Sequence, residues 1–145
     1  MTNKGTRVVV TGMGAITPLG NSIDDYWASL VRGESGIGPI ALADTTDFPS
    51  KIAGEASDFD PGEFMDPKEH KRMARFSQLA VAAAGLAIDD AGLDLDNGNR
   101  DRIGVVMGNG VGGFPTMEDN SRTLISRGGM KMSPYFIPMI LPNMA

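Results

Sequence analysis

Ile103-Gly104-Val105-Val106-Met107-Gly108-Asn109-Gly110-Val111-Gly112-Gly113-Phe114 is the stretch from which the architecture of this chain can be worked out. Ile103, Val105, Val106 and Met107 form a short apolar run without alternation, the pattern of a strand covered on both faces. Glycines follow at 108, 110, 112 and 113, and Thr116 to Arg127 then reads as a helix. Strand, glycine loop and helix form a ligand-facing arrangement, because residues without Cβ let backbone approach a substrate closely or adopt φ > 0. The spacing Gly108-x-Gly110-x-x-Gly113 also satisfies the dinucleotide fingerprint, which has to be tested before it is used.

The test goes against it. The fingerprint belongs to a βαβ unit with an acidic residue near the end of the second strand. Here the helix is followed by Arg127-Gly128-Gly129-Met130-Lys131-Met132-Ser133-Pro134, which contains no strand pattern. No Asp or Glu occurs after Asp119. The other glycine pair, Gly12 and Gly14, is followed by Thr17 where Gly or Ala is needed, and no Gly-Lys-Ser/Thr is present for a P-loop. With 19 glycines in 145 residues, a chance match is the simpler reading.

Composition narrows the function classes further. A length of 145 residues permits one domain with a core, and 41% hydrophobic with 21% charged residues is ordinary for a globular chain. A net charge of −5 argues against general nucleic-acid binding. Cysteine is absent, which removes disulfides, thiolate metal sites and a cysteine nucleophile from these residues. The single histidine, His70, sits in the charged run Lys68-Glu69-His70-Lys71-Arg72 and reads as a solvated helix residue. No stretch approaches the ~20 apolar residues of a membrane span, and Val8 to Val10 behind Lys4 and Arg7 is too short for a signal-peptide core. The expectation is a cytoplasmic protein without metal or cofactor.

Outward from the glycine loop, Arg7 to Thr11 reads as a second strand inside a sheet, ending at Gly12 and Gly14. Ser22 caps a helix that carries Ile23, Tyr26, Trp27, Leu30 and Val31 at helical spacing, with Asp25 completing a capping box and Gly33 as the stop. Tyr26 and Trp27 are expected in the core. Glu34 to Asp66 is irregular, with one weak strand at Lys51 to Glu55. Asp66 and Pro67 start a helix that is expected to run unbroken to about Ala91, with Gly92 as its stop. Its first half is basic and exposed. Its second half, Leu79 to Ile88, is small and apolar and should be buried. Tyr135 to Ala145 forms a last short segment interrupted by Pro138 and Pro142.

Several motifs stand in one order: Val8-Val9-Val10-Thr11-Gly12-Met13-Gly14, Pro18-Leu19-Gly20-Asn21, Trp27, Gly33-x-Ser35-Gly36-Ile37, Arg102-Ile103-Gly104, Gly108-x-Gly110-Val111-Gly112-Gly113, and Ser133-Pro134-Tyr135-Phe136-x-Pro138 with Asn143-Met144. Together they resemble the N-terminal portion of the bacterial β-ketoacyl-acyl carrier protein synthase II family, condensing enzymes of fatty acid elongation. The resemblance covers essentially the whole chain. Gly110-Val111-Gly112-Gly113 is more like type II than type I synthases, and Asn109 replaces the serine more usual in the family.

The resemblance implies an α/β chain forming the incomplete N-terminal half of a thiolase-like αβαβα fold, a single partial domain over 1–145, and a homodimer. It implies Claisen condensation: a cysteine takes the acyl chain, malonyl-carrier is decarboxylated with two histidines aiding that step and stabilising the oxyanion, and the carbanion attacks the thioester. This sequence contains none of those catalytic groups, so the chain reads as a front end that is inactive alone. The implied partners are acyl carrier protein and acyl and malonyl thioesters. By position, Val111 and Phe136 match acyl-pocket residues. Lys68, Lys71 and Arg72, with Lys131 as an outlying member, match the basic patch that meets the acidic carrier protein. Lys68 and Arg72 are four apart with Lys71 adjacent, so all three can share one helix face. The alternative reading is a non-catalytic, chain-length-type partner subunit or binding module of a ketosynthase heterodimer.

Overall fold

Gly12 and Gly14 have the main chain of a long helix pressed against them. A Cβ on Gly12 would stand 2.4 Å from the Ala87 carbonyl oxygen and the Ala91 nitrogen, and one on Gly14 would stand 2.1 Å from the Ala83 carbonyl oxygen. Ala83, Ala87 and Ala91 recur every four residues, so they form one stripe of that helix. Glycine on one side and alanine on the other are what allow the two backbones to touch. Asp90 on the same helix accepts the Met13 N–H at 2.8 Å and fixes the register of the contact.

The computed structural model describes residues 5–128 and 131–144. Lys4, Gly129, Met130 and Ala145, which enter the sequence reading, lie outside them. In chain order the elements are α1 (Ile23–Val31), β1 (Ile37–Pro39), β2 (Ile52–Gly54), α2 (Pro67–His70), α3 (Arg75–Ala91), α4 (Phe114–Arg127) and α5 (Phe136–Ile140), with 3-10 turns at Pro61–Glu63, Arg100–Arg102 and Pro142–Met144. Among the described residues, no helix is long and apolar enough to cross a membrane.

Helix α1 starts and stops as its sequence dictates. Ser22 Oγ accepts the Asp25 N–H at 3.1 Å and donates to Asp25 Oδ2 at 2.7 Å. Gly33 takes a left-handed φ of +71° just beyond the end. The packing differs from expectation. Trp27 is 65% exposed, and the buried residue of α1 is Ser29, whose hydroxyl donates to the Leu19 carbonyl at 3.2 Å. The apolar stripe of α1 meets little of the described chain, so its indole stays outside the core.

The irregular stretch contains a hairpin that alternation did not signal. β1 and β2 pair antiparallel with Ile37 opposite Gly54, Gly38 opposite Ala53 and Pro39 opposite Ile52. The Glu55 carboxylate extends the hairpin by accepting the Ala41 and Leu42 N–H groups at 2.9 and 3.0 Å. A Gly-Pro pair inside a three-residue strand hides its β character, since both residues are poor strand formers.

The two apolar runs do not become strands. Neither Arg7 to Thr11 nor Ile103 to Met107 joins a sheet among the described residues, where the one sheet is β1–β2. Val8, Val10, Val105 and Val106 are 80–99% exposed. The sequence pattern states that these residues tolerate cover on both faces. A ladder also needs a neighbour offering N–H and C=O groups, and no described segment does so.

The expected helix from Asp66 to Ala91 is broken in two. Asp66 caps α2 through the Lys68 N–H at 2.7 Å. The chain turns over Lys71 to Met73, and Ala74 adopts an extended conformation with ψ 161° before α3 begins. Gln78 stabilises the break. Its Nε2 donates to the His70 carbonyl at 2.8 Å and to the Met73 carbonyl at 3.3 Å, satisfying groups that an unbroken helix would have used internally. Burial is concentrated at this junction. Phe59, Ala74 and Ala82 are the buried apolar residues of the described chain. Phe59 meets Phe64 at 5.5 Å and carries the Arg75 guanidinium 4.6 Å above its ring. Leu79 to Ile88 is accordingly only partly buried, with Val81, Ala84 and Gly85 exposed.

Candidate functional site

The glycine loop divides into an open half and a packed half. A Cβ on Gly108 or Gly110 would meet nothing within 4 Å. A Cβ on Gly113 would stand 2.2 Å from the Met139 carbonyl oxygen and 2.9 Å from Ile140 Cα, and Gly112 holds a φ of +75° beside the Ile140 carbonyl. The last two glycines therefore bring the loop onto the backbone of α5. Their lack of side chains serves that contact and not a phosphate. Asn109 closes the loop on itself, its Oδ1 accepting the Gly112 N–H at 2.9 Å. Its Nδ2 is buried without a hydrogen-bond partner among the described residues.

This geometry presents Val111 outward, 71% exposed at the tip of a loop fastened on both sides. Phe136 is half-buried at the start of α5, where its N–H donates to the Ser133 carbonyl at 3.0 Å. Pro138 sits in the first turn of that short helix, where a missing N–H costs no intrahelical bond. The turn leading into α5 is anchored to α4 by Asn120. The Asn120 side chain is buried, donates to the Thr116 carbonyl at 2.9 Å, and accepts the Ser133 N–H at 3.1 Å.

The basic residues are separated by the helix break. Lys68 and Arg72 line a cleft of about 370 Å³ together with Glu69, Met73, Ser77, Tyr135, Pro138 and Met144. Lys71 is exposed but is not among the walls, because the chain leaves its helical path at that residue. Lys131 is exposed and its N–H donates to the Gly128 carbonyl at 3.2 Å, away from the cleft. The Arg72 guanidinium lies 5.0 Å from the centre of the Tyr135 ring. Tyr135 and Met73 carry no functional signal in the sequence beyond their places beside Phe136 and Arg72.

A second, more polar cleft of about 450 Å³ lies beside Thr17 to Asn21 and contains Glu34, Glu55 and Asp58. Its carboxylates have structural employment. Arg32 grips Glu34 in a two-point ion pair at 2.7 and 3.0 Å and, through that hydrogen bond first, holds the Glu34 carboxyl below the usual carboxylate range. Glu55 is committed to the β1–β2 hairpin. Nearby, a Cβ on Gly36 would stand 2.9 Å from Pro18 Cβ, so two of the sequence motifs quoted above pack directly on each other.

Residues 5–145 match the family model described as "Beta-ketoacyl synthase, N-terminal domain". Among curated proteins, the chain is 49% identical over 139 residues to a 3-oxoacyl-[acyl-carrier-protein] synthase 2 of Synechocystis sp., covering 96% of this chain and 33% of that protein. It is 43% identical to the synthase 2 of Coxiella burnetii, covering 96% and 34%, and 41% identical to that of Staphylococcus aureus strain N315, covering 99% and 34%. The chain thus spans about a third of the length of these relatives. Among solved structures, the ishigamide ketosynthase/chain length factor superposes with a TM-score of 0.75 at 32% identity, covering 92% of this chain and 33% of that one. A β-ketoacyl synthase from Burkholderia phymatum gives 0.75 at 29%, covering 95% and 34%. The match of residues 5–145 to that family model shows that the chain belongs to the β-ketoacyl synthase family.

Proposed function

We propose that residues 1–145 supply the acyl-pocket wall and the carrier-facing surface of a 3-oxoacyl-acyl carrier protein synthase, as a single partial domain of a cytoplasmic homodimer. The observation that carries the proposal is the double contact of one short segment. Residues 135–140 touch Arg72 of the cationic surface through Tyr135 and the glycine loop through Met139 and Ile140. The residues read as the carrier surface and the loop read as the acyl pocket thus share one support, which favours this reading. The solved structures similar to this chain include a type II PKS acyl-carrier protein in complex with its ketosynthase.

In this reading Val111 and Phe136 bound the hydrocarbon, and Lys68, Lys71 and Arg72, with Lys131 further off, attract the carrier. The chemistry joins an acyl thioester to malonyl thioester. A thiolate displaces the carrier thiol to form an acyl-enzyme, the malonyl unit loses CO2, and the resulting carbanion attacks the acyl carbonyl and expels the thiolate. Residues 1–145 offer no thiolate, so that step belongs to chain outside this sequence. What these residues contribute is alignment of carrier and chain, which is a positioning term.

The experiment is condensation by the intact protein, with malonyl-carrier and acyl-carriers of graded length. Product formation is expected, with Val111→Phe shifting preference to shorter chains and charge reversal at Lys68, Lys71 and Arg72 raising KM for the carrier. Absence of condensation with normal carrier binding would instead identify a chain-length-type partner subunit.

A further inference from the structure

We infer that Tyr135 is a positioning residue for the cationic cleft: its ring holds the Arg72 guanidinium at the edge of an apolar hollow, so that an acidic segment of a carrier protein lays a carboxylate on Arg72 and Lys68 while an apolar side chain enters beside Met73 and Pro138. The inference rests on the carrier-facing reading given above.

The cleft has the composition such a segment needs. Lys68 and Arg72 form its charged rim. Met73, Tyr135, Pro138 and Met144 form an apolar floor in a hollow of about 370 Å³, roomy enough for one side chain. Glu69 is the one acidic residue on the rim. Two cations against one anion leave an excess of positive charge in a protein of net charge −5. A partner that seats here is therefore anionic, with an apolar residue among its carboxylates.

Arg72 would not hold this geometry unaided. It lies beyond the end of α2, and arginine is rich in rotamers, so ordering it on binding costs conformational entropy. Tyr135 removes part of that cost in advance, because its ring centre lies 5.0 Å from the guanidinium carbon and a cation held over a ring face can still donate its N–H groups to a carboxylate. Tyr135 is itself held firmly. Its N–H donates to Ser133 Oγ at 3.2 Å, its carbonyl accepts the Met139 N–H at 2.9 Å, and Ser133 is fastened to the buried Asn120. The chain of support runs from α4 through Ser133 to Tyr135 and then to Arg72.

The test measures binding of holo-acyl carrier protein to the intact protein by calorimetry, in variants whose thermal melts match the parent. Tyr135→Phe keeps the ring and should bind as the parent does. Tyr135→Leu should bind about two- to five-fold more weakly, the range expected for an exposed cation–π pair. Arg72→Lys keeps the charge without the planar group and should lose a similar factor. In an Arg72→Ala background, Tyr135→Leu should cause no further loss. Equal affinities for the Phe and Leu variants, or an undiminished effect of Tyr135→Leu without Arg72, would overturn the positioning role while leaving the carrier-facing reading intact. Unchanged binding in Arg72→Ala would overturn both. If Tyr135→Leu does not fold, the Arg72→Lys result and the Tyr135→Phe rescue decide the matter.

Discussion

Asn109 Oδ1 accepts the Gly112 N–H at 2.9 Å, tying the two ends of the glycine loop together across Val111. The bond fixes which way the carboxamide points, and it leaves Nδ2 buried without an acceptor among the described residues. Asn109→Ala should free the Gly112 N–H, at a cost of about 1 kcal/mol for the lost bond. Asn109→Asp keeps the accepting oxygen and removes the orphaned donor, so it should hold Gly112 as well as the parent does. Amide hydrogen exchange at Gly112 distinguishes them: fast in the Ala variant, protected in the Asp variant.

The contact between Gly14 and Ala83 predicts a sharp asymmetry between two glycines. Gly14→Ala puts a methyl group 2.1 Å from a carbonyl oxygen and should destabilise the intact protein by about 1–3 kcal/mol, as overpacking does. Gly85 lies in the interior of α3 with nothing within 4 Å of a Cβ. Gly85→Ala should stabilise by about 0.5–1 kcal/mol through helix propensity alone. Denaturant melts of the two variants should move in opposite directions.

Within the opening loop the same reasoning separates Gly113 from Gly110. Gly113→Ala must push α5 away from the loop, because Met139 O and Ile140 Cα occupy the Cβ position. Gly110→Ala meets no obstacle. We expect Gly113→Ala to lower thermal stability and to alter the environment of Phe136, seen in its ring resonances, with little change in Gly110→Ala. Equal effects from the two substitutions would refute the packed-half description of the loop.

The Arg32–Glu34 pair gives a pH dependence with a definite sign. The hydrogen bond from Arg32 depresses the Glu34 carboxyl in the folded state. Its stabilising contribution is therefore complete above the ordinary carboxylate pKa and is lost as pH falls through the depressed folded value. Asp94 behaves alike, depressed first by the Asn97 side chain and then by the Asn97 and Asp96 N–H groups. Both groups are exposed, so the effect on global stability is small. Carboxyl NMR titration should show Glu34 shifting upward in Arg32→Gln, with the Ser29 hydrogen bond keeping part of the depression, and Asp94 shifting upward in Asn97→Ala.

Local rules account for much of what was readable in the chain. Ser22 and Gly33 bracket α1 because a cap and a left-handed stop act within one turn. Asp66-Pro67 starts α2 for the same reason. The ordered glycine, proline and aromatic motifs carried the family, and some of them mark close contacts, such as Pro18 on Gly36 and Gly113 on Met139. The break at Lys71 to Met73 was not readable, because every residue there tolerates helix and the carbonyls are satisfied by Gln78 from the following helix. The cleft was half readable: Lys68 and Arg72 stood out as charges, whereas Tyr135 reaches Arg72 only after the chain has returned across more than sixty positions.

The amino-acid order alone established both ends of α1, the start of α2 and the stop of α3, the absence of a cysteine nucleophile from these residues, and the failure of the glycine spacing as a dinucleotide site. These follow from local geometry and from which chemical groups are present. Folding in three dimensions settled the rest. It laid Gly12 and Gly14 against the alanine stripe of α3, turned Gly112 and Gly113 toward α5, brought Tyr135 to Arg72, and gave the valine runs no strand partner among the described residues. Such outcomes depend on which surfaces meet across long separations, and a strand exists only where a second backbone offers its hydrogen-bonding groups.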